Sequence, residues 1–235
     1  MNLDDADLEL ELVRVTDWLV DDLFGWLPGL GATMFVNRLS RLVFDPERFA
    51  SDEDEPMAGV GQGAIYTHTT QGRLLQAIDA DERARRIRDL FDPYHVALTG
   101  LVHDTLATFG RCLILDCHSF ATIPLPSESD QSPDRPDICI GTDAFHTPPA
   151  LASALERAFL AEGLRVRTNS PFAGSLVPSA YYGRESAVRS VMIEVRRGLY
   201  CHEGTGRPLA EFQAVSVALE RAVSSACADW LSVPS

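Results

Sequence analysis

Two short apolar runs in this sequence each end in polar residues that are capable of chemistry. Asp116 and His118 stand at the end of the first run, and Glu194 and Arg196 stand at the end of the second. Ligands in open α/β sheets bind beyond the carboxyl ends of strands, where polar groups can be exposed without disrupting the core. We therefore expect these four residues to belong to one functional site.

The residue types suggest metal-assisted hydrolysis. A neutral imidazole such as that of His118 is a good zinc ligand, and a carboxylate that does not bind the metal can move protons to and from a reacting water. Glu194 suits the second role. Each residue also has a structural explanation, since His118 can be a hydrogen-bonded strand residue and Glu194 a buried ion-pair partner of Arg196.

Two further groups of residues suggest contacts with a substrate. Arg41 and Arg48 follow another apolar run, and bidentate guanidinium groups would bind the carboxylate of an acidic substrate. Tyr182 and Arg184 end a glycine-containing stretch, residues 170–184, that could close over a substrate. The alternatives are ordinary surface charge for the arginines and a surface turn with packed aromatic rings for the stretch.

Hydrophobic periodicity predicts the elements that position these residues. We expect helices over residues 7–27, 79–109, 149–162 and 209–231. We expect strands over residues 32–36, 39–44, 112–117, 137–141, 164–168 and 190–195, and loops over 50–71, 123–136 and 170–179. Strands that alternate with helices of this length indicate an α/β sheet with helices on both faces.

Composition limits the possible partners. The formal net charge of −14 would repel a phosphate backbone, so nucleic acid is not expected as a partner. An odd number of cysteines, five, without a paired spacing argues against a disulfide framework and suggests a reducing cytoplasm. The N-terminus is acidic and does not resemble a signal peptide, and no apolar stretch approaches the length of a membrane-spanning helix.

Five blocks of the sequence together resemble a known family, the N-formylglutamate amidohydrolases. The blocks are TDWLVDDLF (16–24), RLSRLVFDPER (38–48), DPYHVAL (92–98), LILDCHSF (113–120) and VMIEVRRGLY (191–200). Their order and spacing match from about Leu8 to the C-terminus. The resemblance implies a phosphorylase/hydrolase-like α/β fold related to zinc carboxypeptidases, a three-layer sandwich with a mixed, mostly parallel sheet.

The resemblance also implies roles for individual residues. His118 would be a zinc ligand and Asp17 a second one, with Asp21, one helical turn later, as the fallback. Glu194 would be the general base, and Arg196 would steady it or stabilise the developing oxyanion.

The implied substrate is a small acidic N-acyl amino acid such as N-formyl-L-glutamate, whose linear amide bond is hydrolysed. Arg41 and Arg48 would hold its carboxylates. The family's N-terminal strand and its Pro-His-Ser-Gly loop, which carries another metal ligand, have no counterpart here, so we expect a single domain over residues 1–235 without them. The alternative function is a catalytically inactive relative that binds a small acidic ligand or a protein partner, and the oligomeric state is not predicted.

Overall fold

The computed structural model describes residues 2–232 and groups them into two compact units. One unit, here called the loop-rich unit, comprises the residues up to Thr16 together with Val36–His103 and Pro124–Gln131. The other, here called the sheet unit, comprises Asp17–Phe35, Asp104–Ile123 and the residues from Ser132 onward. The prediction of a single domain is not tested by this grouping.

The sheet unit is built around a four-stranded sheet. Its strands are β1 (Cys112–Phe120), β2 (Ile138–Gly141), β3 (Val166–Thr168) and β4 (Val188–Arg196), arranged in the order β1-β4-β2-β3. The pairs β1–β4 and β2–β3 are parallel, and β4–β2 is antiparallel. The predicted α/β class with a mixed, mostly parallel sheet is confirmed, while kinship with zinc carboxypeptidases stays a prediction.

The α-helices of the chain are α1 (Asp5–Val15), α2 (Val20–Leu23), α3 (Ala80–Arg86), α4 (Asp92–Phe109), α5 (Pro149–Ala161) and α6 (Phe212–Ser232). A π-helical turn, Ile87–Phe91, joins α3 to α4, so the predicted long helix there is largely confirmed. Two short strands, β5 (Cys201–His202) and β6 (Arg207–Pro208), form a hairpin that the sequence analysis did not predict. Among the described residues, no helix combines the length and apolar character needed to cross a membrane.

One face of the sheet forms the main core. Successive side chains of a strand point to opposite faces, and in β4 Val191, Ile193 and Val195 point to the same face. These three residues are fully buried and pack with residues of α2, α5 and α6. The other face therefore carries the alternate residues of β4, which include Glu194.

The predicted helix over residues 7–27 is wrong in its second half. α1 ends at Val15, the backbone of Thr16 is extended, and Leu19 has a left-handed φ of 60°. The apolar period continues through this break because residues on both sides of it are buried, although they belong to different units. The break leaves Asp17 outside any helix.

The two strands predicted over residues 32–36 and 39–44 are also absent from the described structure. Residues 32–39 form no regular element, and Phe35, Val36 and Leu39 are more than one-third exposed. The hydroxyl of Ser40 accepts the backbone N–H of Leu42, which favours a tight turn instead of strand pairing. Short apolar runs are ambiguous in this way when a polar residue competes for the backbone.

Candidate active site

Two neighbouring strands place an imidazole next to a carboxylate. In the parallel pair β1–β4, His118 lies directly opposite Glu194, and Asp116 lies opposite Met192. Because facing residues of paired strands point to the same side of the sheet, Asp116, His118 and Glu194 share the face opposite the helical core. All three residues are buried. The structure thus brings together the two residues that the sequence analysis predicted as metal ligand and base.

The His118 ring lies between two carboxylates. Its Nε2 is 2.8 Å from Oδ1 of Asp116, and its Nδ1 is 3.4 Å from Oδ2 of Asp17. An ionised carboxylate only accepts hydrogen bonds, so the shorter of the two contacts, to Asp116, favours the proton on Nε2. In the neutral ring, the lone pair of Nδ1 then faces the Asp17 carboxylate.

Asp17 is held in this orientation by the end of β1. Its Oδ1 accepts hydrogen bonds from the backbone N–H and the hydroxyl of Ser119, at 2.9 and 3.0 Å. This leaves Oδ2 turned toward His118. Of the two predicted second ligands, Asp17 is thus the one that contacts the imidazole. Asp21, the fallback, lies within α2.

The hairpin β5–β6 also helps to fix Asp17. The hydroxyl of Tyr200, just before β5, donates to the carbonyl oxygen of Trp18 at 2.9 Å. Gly206 in the hairpin turn has a φ of 65°, and a Cβ atom there would lie 2.4 Å from the Trp18 indole. A glycine at this position therefore lets the residue next to Asp17 pack closely against the hairpin.

The facing atoms of Asp17 and His118 suit a divalent cation. A neutral nitrogen lone pair and a carboxylate oxygen repel each other unless a proton or a metal cation lies between them. Adjacent ligands of a tetrahedral zinc ion, with bonds of ~2.0–2.1 Å, are about 3.3–3.4 Å apart. The 3.4 Å separation of His118 Nδ1 and Asp17 Oδ2 has this size. These two donors are one fewer than the three protein ligands of a usual catalytic zinc site.

Glu194 occupies the middle of the site face, with β1 on one side and β2 on the other. Its facing residue in β2 is Cys139, which is fully buried. Burial is the main cause that raises the pKa of Cys139 to about 11, and the charge of Glu194 adds to the effect. A raised pKa keeps the Cys139 thiol protonated near neutral pH, and the predicted role of Glu194 as the base stays a prediction.

Arg196 shares the face of Glu194 but is engaged in an ion pair. Its Nη2 is 2.5 Å from Oδ1 of Asp137, and its backbone N–H donates to the Asp137 carbonyl oxygen. Burial tends to raise the pKa of Asp137, but the hydrogen bonds from Arg196 and from the Arg165 backbone N–H outweigh it and hold that pKa below its usual value. The pairing gives Arg196 a clear structural role, and its predicted catalytic role stays a prediction.

A buried cation near the site was not predicted from the sequence. The guanidinium of Arg135 lies over both the Phe120 and Phe172 rings, at 5.1 and 5.5 Å from their centroids, and Nη1 donates to the Ala121 carbonyl oxygen. Only 3% of the residue is exposed. Its sequence context is rich in proline, serine and aspartate, which is typical of a solvated loop. That context gave no signal of a buried arginine.

Arg41 and Arg48 belong to the loop-rich unit, where the charges of both affect the pKa of Tyr66. Tyr66 donates from its hydroxyl to Oδ2 of Asp45 at 3.1 Å, and Arg48 pairs with the same carboxylate at 3.5 Å. Burial and then Asp45 raise the pKa of Tyr66 to about 12, while the charges of Arg41 and Arg48 oppose that rise. The two predicted substrate-binding arginines are thus neighbours, and their predicted contact with substrate stays a prediction.

Tyr182 and Arg184 lie at the other end of β4 from Glu194. The Tyr182 ring stacks on His146 with centroids 5.7 Å apart, and His146 Nδ1 is 2.8 Å from the carbonyl oxygen of Val188. Val188 begins β4, and the six residue steps from there to Glu194 span about 20 Å of strand. The structure therefore does not bring Tyr182 to the His118–Glu194 cluster, and Arg184 is exposed.

Comparisons with known proteins identify the family of this chain. The family model for N-formylglutamate amidohydrolase matches residues 2–201. The N-formylglutamate deformylase of Pseudomonas aeruginosa is 31% identical over 202 residues, which cover 83% of this chain and 74% of that protein. The N-formylglutamate deformylase of Pseudomonas putida is 28% identical, over 80% of this chain and 71% of that protein.

Solved structures show the same likeness. The crystal structure of an N-formylglutamate amidohydrolase from Ralstonia eutropha JMP134 superposes with a TM-score of 0.81 and 25% identity, covering 95% of this chain and 87% of that one. A gene product of Agrobacterium tumefaciens shares the fold, with a TM-score of 0.68, 22% identity and coverage of 95% and 83%. Because the family model matches most of this chain, residues 2–201, the chain belongs to the N-formylglutamate amidohydrolase family.

Proposed function

We propose that this chain is a metal-dependent hydrolase that cleaves the linear amide bond of an N-formyl or N-acyl amino acid, with N-formyl-L-glutamate as the first candidate. The names of its relatives support the substrate. The observation that carries the proposal is the direct register of His118 with Glu194, combined with the Asp17 carboxylate turned toward Nδ1 of the imidazole.

His118 and Asp17 would hold the metal, through Nδ1 and Oδ2. A zinc ion bound there supplies a positive charge that lowers the pKa of water and polarises a carbonyl group. The same charge relieves the repulsion between the two facing donor atoms. Asp116 would keep the proton on His118 Nε2, and Ser119 would keep Asp17 oriented, so both donors would be held in place before a metal binds.

Glu194 would perform the proton transfers. It takes a proton from the attacking water while the new C–O bond forms at the formyl carbon, and it returns the proton to the departing nitrogen as the C–N bond breaks. The products are formate and the free amino acid. Arg41 and Arg48 would bind the carboxylates of the substrate as charge-assisted, bidentate partners.

Replacement of Glu194 tests this proposal. The variant Glu194→Gln keeps the size of the side chain and removes its capacity as a base, so we expect kcat for N-formyl-L-glutamate to fall by about 10²–10⁴-fold. Formate release measures the rate, and elemental analysis measures the zinc content, which we expect to be unchanged.

Glu156→Gln is the matched control, because Glu156 is an exposed residue of α5. Its rate should stay within about twofold of the wild type, since surface substitutions away from a site have small effects. A Glu194→Gln protein that hydrolyses substrate at the normal rate would rule out Glu194 as the base. A wild-type chain that binds zinc but releases no formate would instead favour the inactive alternative.

A further inference from the structure

The Asp116 carboxylate serves two different parts of the sheet unit. Its Oδ1 is the partner of His118 Nε2 at 2.8 Å, and its Oδ2 accepts the backbone N–H of Leu176 at 2.8 Å. Asp116 itself is only 7% exposed. Each oxygen of this buried carboxylate is thus committed to one donor, so both oxygens are needed to satisfy the two donors.

Leu176 lies in a segment that runs over the site face of the sheet, residues 170–179, here called the covering segment. The hydroxyl of Ser190 in β4 donates to the Leu176 carbonyl oxygen at 2.8 Å. Farther along, the Cys139 thiol donates to the Phe172 carbonyl oxygen, and the Phe172 ring contacts Phe120 edge-to-face at 5.8 Å between centroids. Since Phe120, Cys139 and Ser190 lie on the same face as His118, the covering segment forms a wall of the candidate site.

We propose that Asp116 is a positioning residue that sets two features of the site at once: it fixes the Nε2–H tautomer of His118, and it seats the covering segment over the same face. Both features require one carboxylate that accepts a hydrogen bond at each of its two oxygens. The proposal rests on the proposed function only for the role of His118 as a metal ligand.

The first test is made on the unaltered protein, ¹⁵N-labelled and studied as purified and with added zinc. Ring ¹⁵N shifts of His118 are expected to show Nε2 protonated in both conditions. The Leu176 amide is expected to exchange slowly with solvent, although its acceptor is a side chain and it belongs to no helix or strand. An Nδ1–H tautomer, or a Leu176 amide that exchanges as fast as an exposed loop amide, would overturn the proposal.

The second test uses Asp116→Asn, which keeps the shape but offers a single acceptor oxygen for two donors. One of two changes must follow: the His118 proton moves to Nδ1, with Nε2 accepting from the new amide, or the Leu176 amide loses its acceptor and exchanges at least about tenfold faster. Either change supports shared use of the carboxylate. If neither occurs in a folded variant, Asp116 does not have this role.

Ser190→Ala is the matched control, because it releases the covering segment at the Leu176 carbonyl oxygen and leaves Asp116 intact. We expect faster exchange in the segment with the His118 tautomer unchanged. Zinc affinity, measured by competition with an indicator dye, should fall about 10–100-fold in Asp116→Asn and stay unchanged in Ser190→Ala. These readouts do not depend on hydrolysis, so a chain that fails to cleave N-formyl-L-glutamate would contradict the proposed function without deciding this one.

Discussion

At the scale of single residues, the charges around the site are arranged in pairs that fix geometry. Arg196 illustrates this, because its guanidinium lies on the face of Glu194 but points to Asp137, with only 19% and 12% of the two side chains exposed. A charge-assisted hydrogen bond of this kind stabilises a fold by more than a neutral one. The same pair also links the stability of the protein to pH.

The variant Arg196→Gln is expected to weaken this link. The pKa of Asp137 is lower in the folded chain than the ordinary value of 3.8, so the pair contributes stability above that pH and loses it as the pH falls through the lower, folded value. Removal of Arg196 should cost roughly 1.5 kcal/mol near pH 7, the lower end of the usual range, because Arg165 remains near Asp137. Urea unfolding between pH 2 and pH 7 measures both the loss and its pH dependence.

The control for this prediction is Arg221→Gln. Arg221 is largely exposed and approaches Glu162 only at 3.7 Å, so its removal should change stability by no more than about 1 kcal/mol. Equal losses in the two variants, or an unchanged acid dependence in Arg196→Gln, would mean that the Asp137 pair does not stabilise the fold in this way.

At the scale of elements, the local hydrophobic pattern predicted the helices and strands whose buried residues recur at regular spacing. β1, β4, α5 and α6 were predicted because their apolar runs are long or regular. The helix over 7–27 failed because a deciding interaction is not local: Asp17 is bound by Ser119, 102 residues away in the sequence. Tertiary contacts of this kind override periodicity.

The hairpin β5–β6 is the element whose importance the sequence did not reveal. Its strands have two residues each, too few to show an alternating pattern. The glycines 204 and 206 indicated only a turn. The packing of Gly206 against Trp18 nevertheless places this hairpin behind Asp17.

Gly206→Ala tests the role of the hairpin. The new Cβ would meet the Trp18 ring, and alanine disfavours the positive φ of 65°, so the segment that carries Asp17 must shift. We expect a loss of about 1–3 kcal/mol in stability and weaker zinc binding than in the wild type. Thermal unfolding and zinc titration measure the two effects.

Gly204→Ala provides the control within the same turn. A Cβ at Gly204 would meet no atom within 4 Å, and the residue does not have a positive φ. Its stability and zinc affinity should therefore match those of the wild type. If Gly206→Ala binds zinc as tightly as Gly204→Ala does, the hairpin does not hold Asp17 in position.

At the scale of the whole molecule, the candidate site illustrates how much of a function can be read from sequence. His118 and Glu194 stood out because each ends an apolar strand, and Asp17 was found through family resemblance. The strand register that makes His118 and Glu194 neighbours joins two residues that are 76 positions apart in the sequence. The second role of Asp116 and the burial of Arg135 depend on the covering segment, whose proline- and glycine-containing sequence has no period that predicts what it packs against.

The charge of the whole molecule leads to a prediction about salt. With a net charge of −14, the chain repels a dianionic substrate such as N-formyl-L-glutamate at long range. Salt at 0.1 M screens exposed charges beyond about 10 Å but affects buried or contacting pairs much less, so it removes the repulsion more than the attraction of the binding groups. We therefore expect kcat/KM to rise a few-fold between about 10 mM and 150 mM ionic strength, with kcat nearly constant.

A monoanionic N-formyl amino acid provides the comparison for that measurement. Because the long-range repulsion scales with the charge of the substrate, its kcat/KM should rise by a smaller factor over the same salt range. A fall in kcat/KM for the dianion, steeper than for the monoanion, would mean that a positive local field at the site dominates over the acidic surface. In that case, positively charged groups would control substrate capture, and charge reversal at the proposed carboxylate-binding residues, Arg41 or Arg48, should abolish the salt dependence.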